Sequence, residues 1–244
     1  MRLRILGIGM GLHHLTREVA EALSRSDYVV ATRKGPDDQL LAVRQTVCDA
    51  YGVELVEVED PERDRVSTGS TTADADYGRA VGDWHAARLD AFEAVLRERG
   101  GDAAFLVWGD PALYDSMIRI VGGLAERLGA EWDVLPGISA PQLLAARHRI
   151  VLHEVGQPVH VTTARRLRDD IAAGQRNLVV FLTGSLDLDD LGDWSIWWGA
   201  NLGTAAEELV AGRVRDTLPT LLAARERAKA AAGWVMDVYL LRAP

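Results

Sequence analysis

"LVWGDPALYDS", Leu106–Ser116, joins an apolar run of strand type to a helix-like pattern through Gly-Asp-Pro. The run starts at Ala103, and "AAFLVW" reads as a strand buried on both faces, as in a parallel sheet. Toward the amino terminus, Arg2–Gly7 reads as a second buried strand. Leu15–Ser24 carries Val19, Ala22 and Leu23 at helical spacing, Tyr28–Thr32 reads as a strand, Asp38–Ala50 as a helix and Gly52–Val58 as a strand. Glu59–Ala75 is polar and rich in Ser, Thr and Asp, which predicts a long loop. Tyr77–Arg99 then sets Val81, Trp84, Leu89, Phe92 and Leu96 along one helical face. Beyond Gly-Asp-Pro, Tyr114–Leu128 reads as a helix and Trp132–Leu135 as a strand. Strands alternating with helices predict a mostly parallel sheet covered by helices.

"LPGISAPQ", residues 135–142, interrupts this alternation. Pro136 and Gly137 stop the strand. Ser139 and Gln142 have capping-box spacing with Pro141 in the first turn, so a helix starts near Ala140. A domain boundary is placed here, giving domains 1–136 and 137–244. The second half reads as strand (Val159–Thr163), helix (Arg166–Ala173), strands (Leu178–Thr183 and Ser195–Trp198), helix, and strand (Trp234–Arg242). Thr204 and Glu207 in "TAAEEL" have the spacing of another capping box. The fold class is α/β in two domains.

Composition narrows the function. Of 244 residues, 48% are hydrophobic, enough for a sizeable core. No uninterrupted apolar run is long enough to span a bilayer, which speaks against a membrane partner. The start, "MRLRILGIGMG", is too short and Gly-rich for a signal peptide. Cys48 is the only cysteine, so no internal disulfide forms, which suits the cytoplasm. A net charge of −9 disfavours a nucleic-acid partner. A local arginine cluster can still bind an anionic small molecule.

"GIGMG", residues 7–11, follows the first strand. A dinucleotide loop requires G-x-G-x-x-G, and position 12 is Leu. The second strand ends "VVATRKG", with no acidic residue for a ribose hydroxyl, and no Walker loop is present. The glycines serve either a tight strand–helix turn or a ligand that approaches the backbone. Asp110-Pro111 also has two readings. It can open a helix as N-cap and first residue, or present a carboxylate beyond the carboxyl ends of the strands, where open α/β sheets bind ligands.

GIGMG, GDP and "PGISA" together resemble the tetrapyrrole methylases. The segments "VWGDPALYDS", "PGISAPQLLAARHRI", "VTTARRL", "WWGANLGTAAEELVAG" and "GWVMDVYLLR" are similar, in order, to the branch of the family acting on precorrin-5 in aerobic cobalamin synthesis. The resemblance implies a two-domain fold of mixed sheets covered by helices, with a cofactor trough between the domains. It implies a cytoplasmic homodimer with S-adenosyl-L-methionine as cofactor and S-adenosyl-L-homocysteine as its product. The reaction implied is methylation at ring carbon 1 with release of acetate. Alternatives are a methylase acting on a different tetrapyrrole, or a non-catalytic protein that binds the cofactor or a corrinoid.

Site residues follow from the same resemblance. Gly109, Asp110 and Leu113 would lie under the methionine portion of the cofactor, and Gly9 would also bind the cofactor. Ser139 and Ala140 would hold its carboxylate side. Leu182, Thr183, Asn201 and Leu202 would lie by ribose and adenine. Gly11 borders the substrate, whose carboxylates call for Arg33, Lys34, Arg165 and Arg166, since the guanidinium fork suits carboxylates. Asp110, Tyr114, Asp115, His148 and His153 are the catalytic candidates, one of the last two as the residue that positions the deacetylating water. His85 reads as structural, and Trp194 and Trp198 as core. No Cys, His and Asp spacing suggests a metal site. Ala164 stands where the family pattern has glycine, which would strain the backbone if that position needs positive φ.

Overall fold

Residues Leu3, Ile5 and Leu6 of the first strand, β1 (Arg2–Gly7), are wholly buried, as a central strand covered on both faces requires. The structure, a computed structural model, describes residues 1–35, 38–61, 73–233 and 235–244, without the side chains of 73–83. The chain divides into two compact units, Met1–Ile138 and Ser139–Pro244.

In the first unit, β1 joins β2 (Tyr28–Arg33), β3 (Glu54–Glu59), β4 (Ala103–Val107) and β5 (Glu131–Leu135) in a sheet of order β3-β2-β4-β1-β5. Every pairing in it is parallel. Alternate side chains supply opposite faces. On one face Leu3, Ile5, Phe105 and Val107 meet α3 (Ala73–Arg99) and α4 (Met117–Leu128), with Phe92 edge-on to Phe105 at 5.3 Å. On the other, Leu6, Val29, Ala104 and Leu106 meet α1 (Arg17–Leu23) and α2 (Gln39–Tyr51). Thr16 and Asp38 cap α1 and α2 by accepting from Val19 N and Leu41 N.

The second unit begins with α5 (Ala140–His148), where Ser139 N donates to Gln142 Oε1 at 2.8 Å, so the capping box forms. Its sheet is mixed, of order β6-β7-β10-β8-β9. The strands are β6 (His160–Thr163), β7 (Asn177–Phe181), β8 (Ser195–Ala200), β9 (Glu208–Arg213) and β10 (Asp237–Arg242). Only β6 and β7 pair in parallel. Leu167 of α6 (Leu167–Ala172) and Leu221, Ala224 and Ala228 of α7 (Val214–Ala232) close over Leu178, Val180, Trp198, Tyr239 and Leu241. Trp194 and Trp198 both lie in this core.

Three sequence expectations change. "TAAEEL" does not open a helix. Glu207 Oε2 accepts from Gly203 N at 2.6 Å and Thr204 Oγ1 from Ala206 N at 3.1 Å, closing a turn, and β9 follows. Backbone pairing with β8 outweighs the local helical signal. Asp110-Pro111 opens a turn, with Leu113 N on Asp110 O, and α4 begins only at Met117. The residues from Tyr114 are therefore not yet helical. Ala164 lies in a 3-10 turn without positive φ, so alanine there is unstrained. The expected α/β class holds, with a first sheet that is parallel throughout and a second that is mixed. Most of the long loop, residues 62–72, lies outside the described residues. So do Trp234 and the side chain of Val81.

Cys48 of α2 is wholly buried, and burial, with Asp49 nearby, pushes its thiol up to about 11. The unfolded thiol titrates near ~8.5. Its contribution to stability is therefore complete below that pH and is lost as pH rises toward 11. An aromatic disulfide reagent at pH 8 is expected to leave the native thiol unmodified and to titrate one thiol after unfolding.

Candidate active site

The carboxyl ends of β1, β4 and β5 meet backbone to backbone. Gly9 and Gly109 form an antiparallel bridge, Gly109 N donating to Gly9 O at 2.8 Å and Gly9 N to Gly109 O at 3.2 Å. Gly109 has φ 74°, which its lack of a Cβ permits at no steric cost. A Cβ on Gly137 would lie 2.2 Å from Gly109 O and 2.7 Å from Gly7 O, so no other residue fits. Asp110 locks this junction. Its Oδ2 accepts from Gly137 N at 3.0 Å and its Oδ1 from Ala112 N at 2.8 Å. The carboxylate therefore holds protein backbone, linking the segment after β4 to the segment after β5.

Beyond it, Leu113 is half-buried and Tyr114 is 47% exposed at φ 54°. A tyrosine in the left-handed region is strained, and such strain clusters at ligand sites. Asp115 Oδ1 accepts from Met117 N at 2.6 Å. Its second oxygen has no donor among the described residues. Gly11 has φ 112°. Arg33 is ion-paired at 3.3 Å to both Glu57 and Glu59 of the neighbouring strand, so its charge is already spent. Lys34 is exposed and donates its backbone N–H to Asp38 Oδ2.

In the second unit, β7 ends in another strained turn. Leu182 has φ 56° and is 65% exposed, while the neighbouring Thr183 is buried and its Oγ1 lacks a partner. Arg225 of α7 clamps this turn. Its guanidinium donates to Thr183 O at 2.8 Å and to Gly184 O at 3.3 Å, and pairs with buried Asp237 at 3.0 Å. Asp237 also accepts from Trp198 Nε1 at 3.1 Å. Sequence reasoning missed Arg225 and Asp237, because no local motif links residues on β7, α7 and β10.

The other candidates of this unit are largely tied to the protein itself. Asn201 is buried at φ 47°. Its side chain donates to Ala228 O and accepts from Met236 N. Leu202 is buried. Buried Ser139 donates its hydroxyl to Gln142 Oε1, and Ala140 is the first residue of α5. His148 Nε2 lies 3.0 Å from Trp198 O, fastening α5 to β8. His153 stands in an exposed loop with Nδ1 against Glu154 O. Arg165 and Arg166 are exposed, Arg166 lying 3.7 Å from Asp170. Among the described residues no three His, Cys, Asp or Glu groups converge as a metal site requires.

Residues 2–218 match the family described as Tetrapyrrole (Corrin/Porphyrin) Methylases. The chain belongs to this family. The methylase is 40% identical to a precorrin-6A synthase [deacetylating] of Sinorhizobium sp, over 99% of this chain and 95% of that protein. The crystal structure of a cobalamin-synthesis-related protein, CobF, from Corynebacterium diphtheriae superposes with a TM-score of 0.82. It is 34% identical, and the match covers 99% of this chain and 98% of that one. The uroporphyrin-III C-methyltransferase of Thermus thermophilus complexed with S-adenosylhomocysteine shares the fold, with a TM-score of 0.57 at 16% identity, over 99% and 92% of the two chains.

Gly137→Ala is expected to lower the free energy of unfolding by about 3 kcal/mol, because the clash is with backbone that cannot swing aside. Urea unfolding followed by circular dichroism measures it.

Proposed function

We propose that this methylase transfers a methyl group from S-adenosyl-L-methionine to ring carbon 1 of precorrin-5 and releases the extruded acetyl group as acetate, giving precorrin-6A. The observation that carries this reading is the 40% identity, over nearly the whole of both chains, to a protein named for that activity.

The residues fit the cofactor. The unsatisfied Thr183 hydroxyl beside an outward-facing Leu182 is an open polar position at a strand end. At the bridge, a Cβ on Gly9 would meet His14 at 2.6 Å, whereas the position above Gly109 has only the flexible end of Met10 near it, at 3.7 Å. Gly9, Gly109, Asp110 and Leu113 of the first unit are the proposed cofactor residues there. Leu182 and Thr183 are those of the second, with backbone from Ser139, Ala140, Asn201 and Leu202. S-adenosylmethionine when bound supplies an electrophilic sulfonium methyl group, so the protein's task is alignment and exclusion of water.

Deacetylation requires water to add to the acetyl carbonyl and give up its protons to a base while the carbon–carbon bond breaks, its electron pair passing to the macrocycle that takes the methyl group. Asp110 has both oxygens on backbone amides, which leaves it a poor candidate for moving a proton. Asp115 keeps one oxygen open, and Tyr114 beside it is held exposed. These two are the proposed acid–base residues, ahead of His148 on its backbone carbonyl and His153 in its loop. The family resemblance adds a cytoplasmic homodimer to this reading, and sedimentation velocity tests the dimer.

Calorimetric titration with S-adenosylhomocysteine is expected to show micromolar binding that a nicotinamide dinucleotide does not. Precorrin-5 with S-adenosylmethionine should then yield acetate and a methylated product of matching mass. A methylated product without acetate would leave a methylase of different substrate or single activity. Thr183→Val removes a buried hydroxyl that has no partner among the described residues. Unfolding stability is expected to hold or rise by about 1 kcal/mol, while S-adenosylhomocysteine affinity falls about fivefold.

A further inference from the structure

Arg44 of α2 is a cation that the site residues above leave unused. Its Nε donates to Leu106 O at 2.8 Å, so the guanidinium sits at the carboxyl end of β4, just before Gly109-Asp110. Its chain neighbour Val43 faces the glycine loop, since a Cβ on Gly11 would lie 3.6 Å from Val43 Cγ1. Arg44 is only partly exposed. Among the described residues, the other arginines that are not exposed, Arg4, Arg88, Arg168, Arg225 and Arg242, are each in an ion pair. Arg44 has none. No acid of the described residues is within ion-pairing distance of it: Asp38 is held by Leu41 N and Lys34 N, and Asp115 by Met117 N through one of its two oxygens. Burial accordingly pulls the guanidinium down from its ordinary value. Asp38 and Asp115 oppose that pull, and Arg88 adds to it.

A guanidinium does not lose its proton, so burying it without a counter-ion is unfavourable unless an anion arrives. We infer that Arg44 binds a side-chain carboxylate of the tetrapyrrole substrate at the carboxyl edge of the first sheet. This rests on the proposed function. The planar fork, with Nε held by Leu106 O, keeps its terminal N–H groups for a carboxylate. Of the two basic residues that the sequence offers on this unit, Arg33 pairs with Glu57 and Glu59, and Lys34 is exposed at the surface.

The test compares wild type with Arg44→Gln and Arg44→Lys in four measurements. These are KM for precorrin-5, Kd for S-adenosylhomocysteine, the thermal midpoint, and Kd for uroporphyrin, a stable polycarboxylate tetrapyrrole. Arg44→Gln is expected to raise KM and weaken uroporphyrin binding about tenfold or more, with Arg44→Lys between it and wild type. Affinity for S-adenosylhomocysteine should stay within about twofold and the midpoint should hold. Unchanged KM and uroporphyrin affinity would overturn the inference. So would a loss of S-adenosylhomocysteine affinity, which would assign Arg44 to the cofactor's own carboxylate or to the fold. If wild type leaves precorrin-5 unchanged, the proposed function falls. The uroporphyrin comparison then decides Arg44 alone, equal affinities overturning it.

Discussion

Three strand ends of the first unit approach more closely than any side chain permits, and Asp110 holds them there. Gly7, Gly109 and Gly137 come from β1, the segment after β4 and the segment after β5, and their backbones are in direct contact. The bridge between Gly9 and Gly109 extends this contact beyond the end of the sheet. Asp110 then takes the amide of Gly137. A sheet whose central ends are fixed in this way holds its backbone rigidly at the edge where α/β folds bind ligands. The glycine loop, the Asp110 turn and strained Tyr114 all branch from this junction.

The second unit reaches a comparable result by different means. No glycine cluster supports the turn after β7. Its carbonyls are held by Arg225, whose charge is balanced by buried Asp237, which in turn accepts from Trp198. Truncating one member of such a network leaves the others buried and unpaired, so it acts as a single unit. The strain at Leu182 is sustained by this clamp, and the open hydroxyl of Thr183 lies beside it. Both units therefore hold strand-end backbone rigidly, and in both the fixing groups are hydrogen-bonded charges.

Much of this was legible in the chain. Continuous apolar runs such as "AAFLV" identified strands buried on both faces, and helical spacing located the covering helices. Gly109, Asp110 and the capping box of Ser139 and Gln142 were marked by local motifs, because their partners lie within a few residues or at a strand end. The failures share a cause. "TAAEEL" carries a helix-start signal, yet pairing with β8 decides its structure. Tyr114 reads as helical, yet the turn that Asp110 and Asp115 build leaves it at positive φ.

By itself, the sequence determined the α/β alternation, the places where strands end in glycine, and membership of the methylase family. These depend on periodicity and on residues lacking a Cβ, which act over short distances along the chain. Only the tertiary structure decided which charges are spent and which are left over. Arg33 reads as available and pairs with two glutamates across the strand pair, whereas Arg44, which no motif marked, has no ion pair among the described residues. An ion pair is set by distance in space, and residues on different strands and helices acquire that distance only when the sheet forms.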